Sequence, residues 1–223
     1  ELDELTVTDK DGDEISVKRE SDTKYTFTMP SGKVTVKATF AKVSEQPESG
    51  IAFTDVASSA YYYDAVKWAV EQGITSGITA TTFGPDASCT RAQMVSFLWR
   101  ANGSPKAAGA NPFTDVSADA YYYDAVLWAV EKGITSGTSA TTFSPNATVT
   151  RGQTVSFLHR ANGSPAVSGS SPFTDVAADA YYAAAVQWAV AENITAGTSA
   201  TTFSPDAACT RGQIVSFLYR DMA

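Results

Sequence analysis

The chain has 223 residues with 24 acidic and 16 basic side chains, which gives a formal net charge of −8 at neutral pH. An acidic chain without a cluster of lysines and arginines argues against nucleic acid and against anionic membrane surfaces as partners. No apolar run approaches the roughly 18 residues that a membrane-spanning helix needs, so the sequence predicts no transmembrane segment. One histidine and two cysteines leave little material for a metal site, and we expect no cofactor.

Residues 1–43 are predicted to form a small antiparallel β module. Asp11-Gly12 and the run at 30–32, Pro-Ser-Gly, supply turn chemistry between strands. Residues 44–50, SEQPESG, are predicted to be a polar linker. Alternation in the strand period marks three candidate strands, at 5–8, 25–28 and 33–40.

The rest of the chain contains three copies of one unit. The tetrapeptide Phe-Thr-Asp-Val and the motif Thr-Arg-x-Gln each occur three times at a spacing of 60 residues. A unit with only two short helices buries its own apolar faces poorly, so we expect the copies to pack together as one body. The copies are predicted to span residues 51–104, 105–164 and 165–223.

Each copy is predicted to form two helices joined by a long loop. Apolar residues recur at helical spacing from Tyr62 to Val70, which indicates the first helix. Gly73 stands where that helix should end, and the third copy has Asn193 there. Both residue types tolerate the left-handed conformation that ends many helices. The second helix is predicted to begin at Thr90.

The Thr-Arg-x-Gln motif opens the second helix of each copy. Thr90 and Gln93 have the spacing of a capping box, in which each side chain bonds a backbone amide of the other. Arg91 is not explained by the cap, because a cation in the first helical turn opposes the helix dipole. Free amides plus a guanidinium would make a pocket for a carboxylate or phosphate. The alternative is a salt bridge to a repeat aspartate such as Asp55 or Asp86. The residues alone favour neither the anion pocket nor the salt bridge.

Other repeated positions have both a structural and a functional interpretation. The glycine after Ile-Thr-x suits a turn, and it would also let a ligand approach the backbone. Core packing is favoured for the tryptophan of the first helix, although an indole at a groove edge could stack on a sugar. Arginines in the last turn of the second helix suit its carbonyl end and are interpreted as structural; they are Arg100, Arg160 and Arg220. The candidate ligand-binding residues are Arg91, Arg151, Arg211, Gly77, Gly137, Gly197, Trp68, Trp128, Trp188, Gln93, Gln153 and Gln213.

The two cysteines occupy equivalent positions in different copies. Cys89 and Cys209 correspond to Val149 in the second copy, which favours a small buried apolar site over a disulfide.

The ordered motifs FTDV, YY-x-x-AV-x-WA, G-I-T-x-G, F-x-P-[DN] and T-R-[AG]-Q resemble the S-layer homology (SLH) domain family over about 173 residues. That family usually has Thr-Arg-Ala-Glu as its last motif, whereas all three copies here carry Gln, which keeps the cap and removes a charge. The resemblance implies a mainly α fold with three tandem helix-loop-helix repeats in a pseudo-threefold arrangement, preceded by the β module. Grooves would lie between neighbouring repeats.

The resemblance also implies a function. The family anchors extracellular bacterial proteins non-covalently to secondary cell-wall polysaccharide, typically at sugars that bear a pyruvate ketal. We therefore expect the motif arginines to pair with an anionic sugar substituent, in a module without catalytic activity. The third copy departs most from the others, since Ala183 and Ala184 replace Tyr63 and Asp64 and Ala196 replaces Ser76. Its groove is therefore expected to be weaker or degenerate.

Two other functions compete with glycan anchoring as interpretations of the sequence. A glycoside hydrolase needs paired carboxylates, whereas acids such as Asp55 are single in each copy and suit capping better. Binding of proteins, including self-association in a surface layer, is the alternative that the sequence leaves open.

Overall fold

A computed structural model describes residues 2–21, 24–40, 51–169 and 171–223. The chain separates into two compact units, one up to Gly50 and the other from Ile51 to Ala223. The predicted linker at 44–50 lies outside the described residues. No helix in the described part of the chain is long and apolar enough to cross a membrane.

The N-terminal unit consists of two-stranded antiparallel sheets. Strand β1 (Leu2–Thr8) pairs with β4 (Thr35–Phe40), and β2 (Val17–Arg19) pairs with β3 (Tyr25–Phe27). The prediction of an antiparallel module is confirmed, but strand β2 was not among the predicted strands. Its three residues are Val-Lys-Arg with two exposed cations, so no alternation marks it as a strand.

The C-terminal unit is helical, and each copy supplies two helices as predicted. A residue with positive φ follows each first helix: Gly73 at +67°, Gly133 at +68° and Asn193 at +59°. This left-handed residue ends the helix, as the Gly-to-Asn exchange indicated. The helices are α1 (Tyr63–Glu71), α2 (Arg91–Ala101), α3 (Tyr123–Glu131), α4 (Arg151–Ala161), α5 (Ala183–Ala191) and α6 (Arg211–Met222).

Capping boxes open α2, α4 and α6. Thr90 is the N-cap of α2, its hydroxyl accepts from the amide of Gln93 at 3.2 Å, and its own amide donates to Oε1 of Gln93 at 3.0 Å. The same two bonds occur with Thr150 and with Thr210. The predicted boundary and cap of the second helix are therefore confirmed.

Contacts between helices join the copies. The first helix of each repeat packs against the second helix of another, in the pairs α3 with α2, α5 with α4, and α1 with α6. Helix α2 also contacts both α4 and α6. Phe83, Phe143 and Phe203, one from each repeat, are fully buried in the same hydrophobic core. The three repeats thus share one core, as their size led us to expect.

Backbone hydrogen bonds connect the segments that precede the second helices. The amide of Cys89 donates to the carbonyl of Cys209, that of Cys209 to Val149, and that of Val149 to Cys89, at 2.9–3.0 Å. Both cysteines are fully buried free thiols, as expected for a small apolar site. Burial raises the pKa of Cys89 to about 12 and that of Cys209 to about 11, so both thiols are neutral at pH 7.

Removing one capping hydroxyl tests the helix boundary. Thr90→Ala deletes the acceptor for the Gln93 amide and is expected to lower the free energy of unfolding by about 1 kcal/mol. Urea unfolding measures this change. Thr81→Ala is the matched control, because the Thr81 side chain is exposed and does not cap a helix. Equal losses in the two variants would contradict the role assigned to the cap.

Candidate functional site

An open groove of about 320 Å³ lies where parts of all three repeats meet. Arg91 comes from the first repeat and Tyr181 from the third, while the second repeat contributes a loop and one face of α4. We call this site the Arg91 groove. Its lining consists of Arg91, Thr135, Ser136, Gly137, Thr138, Gln153, Ser156, Phe157, Arg160 and Tyr181.

Arg91 lies at the bottom of this groove and is only 4% exposed. Its Nε donates to the carbonyl of Phe143 in the next repeat at 2.9 Å. Its guanidinium carbon lies 4.8 Å and 5.4 Å from the ring centroids of Phe143 and Phe157, which favours cation–π attraction. Arg151 and Arg211 make the equivalent bonds, to the carbonyls of Phe203 and Phe83. Each motif arginine therefore joins two repeats.

Neither sequence-based expectation for Arg91 describes these contacts. Among the described residues, no carboxylate forms an ion pair with it, so the expected salt bridge is not found. The expected free amides are occupied as well: Arg91 donates its amide to Ala147 at 2.9 Å, and Ala92 donates to Pro145 at 3.0 Å. The loop of the next repeat packs against the helix start and takes the place expected for an anion.

One donor of Arg91 nevertheless has no acceptor. Its Nη2 is buried without a hydrogen-bond partner in the described residues, and so is Nη2 of Arg151. Burial lowers the pKa of Arg91, against the opposing influence of Tyr181 and Asp115, yet a guanidinium stays protonated in proteins. A buried cation with an unfilled donor costs free energy that an anion or oxygen acceptor in the groove would offset.

Seven of the ten lining residues were missing from the predicted set, and Tyr181 and Arg160 are the two of them with large polar side chains. Tyr181 is 62% exposed and forms part of the wall. Arg160 donates from Nη1 to the carbonyl of Ile134 at 3.0 Å, which agrees with the structural interpretation, but its side chain also lines the groove. The sequence did contain a signal for Tyr181, because a tyrosine stands at this position in all three copies. Another position of the repeat has changed in every copy, from Lys67 to Leu127 and Gln187.

The glycine predicted to admit a ligand does line the groove. Gly137 has φ of +87°, and a Cβ there would lie 2.5 Å from Cε1 of Phe113. Gly77 and Gly197 approach Phe53 and Phe173 at the same distance. Packing of the loop onto a phenylalanine therefore requires glycine at these positions, independently of any ligand.

The tryptophans lie elsewhere. Trp128 and Trp188 are each 4% exposed and line two other pockets, one with Lys132 and the other with Glu192. Trp68 packs edge-on to Tyr219 of α6, with the ring centroids 5.7 Å apart. The structure thus brings Arg91, Gly137 and Gln153 of the predicted set together and places the indoles between helices, the packing that the sequence favoured.

Repeat equivalence gives two further sets of residues that correspond to the lining of the Arg91 groove, and we name them after their arginines. Tyr121 interacts electrostatically with Arg211 and Arg100, as Tyr181 does with Arg91 and Arg160. Tyr61 interacts in the same way with Arg151 and Arg220. The Arg151 groove comprises Arg151, Gly197, Gln213, Arg220 and Tyr61, and the Arg211 groove comprises Arg211, Gly77, Gln93, Arg100 and Tyr121.

The repeated aspartates hold the loop that the arginines contact. Asp55 accepts from the amides of Phe83 and Gly84 at 2.8 Å and 2.7 Å, while the carbonyl of Phe83 accepts from Arg211. These carboxylates cap loop amides, whereas the N-cap residues of the first helices, such as Tyr62 before α1, make no side-chain capping bond. Within the described residues, no three or more His, Cys, Asp and Glu side chains cluster as a metal site would need.

Comparison with known proteins gives the family. The model of the S-layer homology domain matches residues 52–95, 112–155 and 172–215, more than half of the chain. The chain belongs to the S-layer homology domain family. The three matches confirm the three copies.

Three relatives were found among curated proteins. The surface-layer 125 kDa protein of Lysinibacillus sphaericus is 34% identical over 157 residues, which are 69% of this chain and 13% of that protein. An endoglucanase of Bacillus sp. (strain KSM-635) is 32% identical over 54% of this chain and 13% of the enzyme. A cell surface protein of Thermoanaerobacter kivui is 32% identical over 58% of this chain and 18% of that protein.

The family and its relatives place the chain at the cell surface as a cell-wall anchoring module. The chain spans less than a fifth of the length of each relative. The S-layer homology domain is itself non-catalytic, so similarity to a small part of an endoglucanase carries no enzymatic activity to this chain.

Substitution of Gly137 tests the packing of the groove loop. Gly137→Ala combines an unfavourable positive φ with a clash against Phe113 and is expected to destabilise the fold. Gly133→Ala is the control, since its φ is also positive but a Cβ there meets nothing within 4 Å. Thermal unfolding should show an additional loss of about 1–3 kcal/mol for Gly137→Ala. A loss no larger than that of the control would contradict the close packing.

The loop aspartates predict how stability depends on pH. Burial alone would raise the pKa of Asp55 and of Asp175, but amide hydrogen bonds and a nearby arginine outweigh it and lower both pKa values. Their stabilisation is therefore complete above the pKa of an unfolded aspartate, about 4, and is lost as the pH falls below it. The free energy of unfolding, measured with urea between pH 6 and pH 2, should fall less steeply with decreasing pH for Asp55→Asn/Asp175→Asn than for the native chain. An unchanged slope would show that other groups control acid unfolding.

Proposed function

We propose that the repeat unit binds an anionic cell-wall polysaccharide in the grooves between its repeats. The observation that carries this proposal is the side chain of Arg91, a cation only 4% exposed that lines an open groove and whose Nη2 has no acceptor among the described residues. A carboxylate on the glycan would supply both the missing acceptor and the missing negative charge.

The other groups in the Arg91 groove suit a sugar. Gln153 uses its Oε1 for the helix cap, so its amide NH₂ is the end that can donate to a ligand oxygen. Ser136 and Thr138 add hydroxyl groups, and the exposed ring of Tyr181 offers an apolar face. Polar donors beside one aromatic face are typical of carbohydrate recognition, because a sugar presents hydroxyls at its edge and C–H groups on its face. A pyruvate ketal, which joins a carboxylate to a sugar ring, would use all of these groups.

We further propose that the three repeats are arranged about a pseudo-threefold axis. Equivalent bonds support this arrangement: Arg91 to Phe143, Arg151 to Phe203, and Arg211 back to Phe83, each at 2.9 Å. Several grooves on one rigid unit would raise the effective concentration of linked sugars, so individually weak sites would hold one polysaccharide tightly.

Removal of the ketal tests the proposed ligand. Purified cell-wall polysaccharide is sedimented with the chain before and after mild acid hydrolysis of its pyruvate ketals. We expect binding before hydrolysis and at least about a tenfold weakening after it, because the buried guanidinium loses its charged acceptor. Tyr181→Ala should weaken binding to the intact glycan, whereas Gln72→Ala, at an exposed position outside the groove, should not.

Unchanged binding after hydrolysis would contradict a carboxylate ligand. Retention of a surface protein by the chain after complete removal of glycan, with no glycan binding, would instead support the protein-binding alternative. Arg91→Lys, which keeps the charge and loses the planar fork, distinguishes bidentate recognition from simple charge attraction once its melting curve shows a folded chain.

A further inference from the structure

The three grooves differ at two positions of the wall. Ser136 of the Arg91 groove corresponds to Ala196 in the Arg151 groove and to Ser76 in the Arg211 groove. The second position separates the Arg211 groove from the other two. In the Arg91 groove this position is Thr138, whose hydroxyl lies 2.7 Å from that of Ser144. Thr198 and Ser204 form the same pair, also at 2.7 Å, in the Arg151 groove. The Arg211 groove has Ile78 and Gly84 instead.

In the Arg211 groove both residues of this hydroxyl pair are replaced: the threonine by Ile78 and the serine by Gly84. Ile78 is 57% exposed, and its Cδ1 lies so close to Gly84 that a Cβ there would collide with it. The isoleucine therefore occupies the space that the serine side chain takes in the other grooves. The backbone is equivalent, since φ is +70° at Gly84, +60° at Ser144 and +58° at Ser204.

The arginines differ in the same direction. Nη2 of Arg91 and of Arg151 has no hydrogen-bond partner among the described residues, whereas Nη2 of Arg211 makes a long contact of 3.4 Å with Oγ1 of Thr75. A sugar hydroxyl or carboxylate placed against Ile78 would lose water without gaining a partner.

The geometry points to two kinds of groove: the Arg91 and Arg151 grooves bind the anionic sugar, and Ile78 with Gly84 excludes it from the Arg211 groove. This inference rests on the proposed function and names its specificity-determining pair. It also changes which groove is weak. The sequence led us to expect a weaker groove in the third repeat, whereas this inference assigns the weak groove to the apolar wall that the first repeat supplies. The third repeat supplies the polar wall of the Arg151 groove at Thr198.

Exchange of the pair between grooves tests the inference. The probe is a methyl hexoside with a 4,6-linked pyruvate ketal, and native mass spectrometry counts the molecules bound by the full chain. We expect two on the native chain, three on Ile78→Thr/Gly84→Ser, and one on Thr138→Ile/Ser144→Gly. Calorimetry should show affinity for the apolar groove at least about tenfold weaker than for the polar grooves.

The matched design separates this inference from the function on which it rests. Ser at position 84 suits the positive φ, as Ser144 and Ser204 show, so the first exchange is compatible with the fold. Three equivalent sites on the native chain, or no change of number on exchange, would overturn the inference and leave the proposed function intact. No binding by any of the three folded chains would overturn both.

Discussion

A buried arginine that reaches from one repeat to the backbone of the next is the interaction on which the helical unit depends. Its Nε binds a phenylalanine carbonyl at 2.9 Å, and its plane lies against two phenylalanine rings. The amide of that same phenylalanine binds an aspartate from its own repeat, as Phe143 binds Asp115. The backbone of one residue is thus held at its N–H by a carboxylate and at its C=O by a guanidinium, and these two charged groups form no ion pair among the described residues. The loop between the two helices is positioned by these two bonds.

The same interaction connects stability with recognition. A guanidinium has five N–H donors in a fixed plane. Nε of Arg91 donates to a backbone carbonyl of the next repeat, whereas Nη2 of Arg91 and of Arg151 has no acceptor among the described residues. The fold therefore buries a cation and, among the described residues, leaves its Nη2 without an acceptor in an arginine that lines the groove. A ligand that fills this position would stabilise the folded repeats as well as bind to them, because it interacts with the native state alone.

Local features of this chain could be predicted from sequence, whereas contacts between repeats could not. The capping box and the helix end at Gly73 depend on residues within a few positions of each other, and both are confirmed. The groove was harder, because Arg91, Gln153 and Tyr181 come from three repeats and meet only through packing. Sequence reasoning assigned Arg91 free amides because it could not foresee that Ala147 and Pro145 would occupy them. Strand β2 was missed because three residues carry no periodic signal.

The bond from Arg211 to Phe83 returns the last repeat to the first across 128 residues of sequence. An open array of repeats can gain or lose a unit at either end, since each unit contacts only its neighbours. Here the first and last repeats already pack against each other, through helices α1 and α6. A fourth copy inserted into the chain would have to break this bond before it could pack. Duplication in this fold is therefore expected to proceed by whole sets of three, and the number of grooves is fixed by closure rather than by chain length.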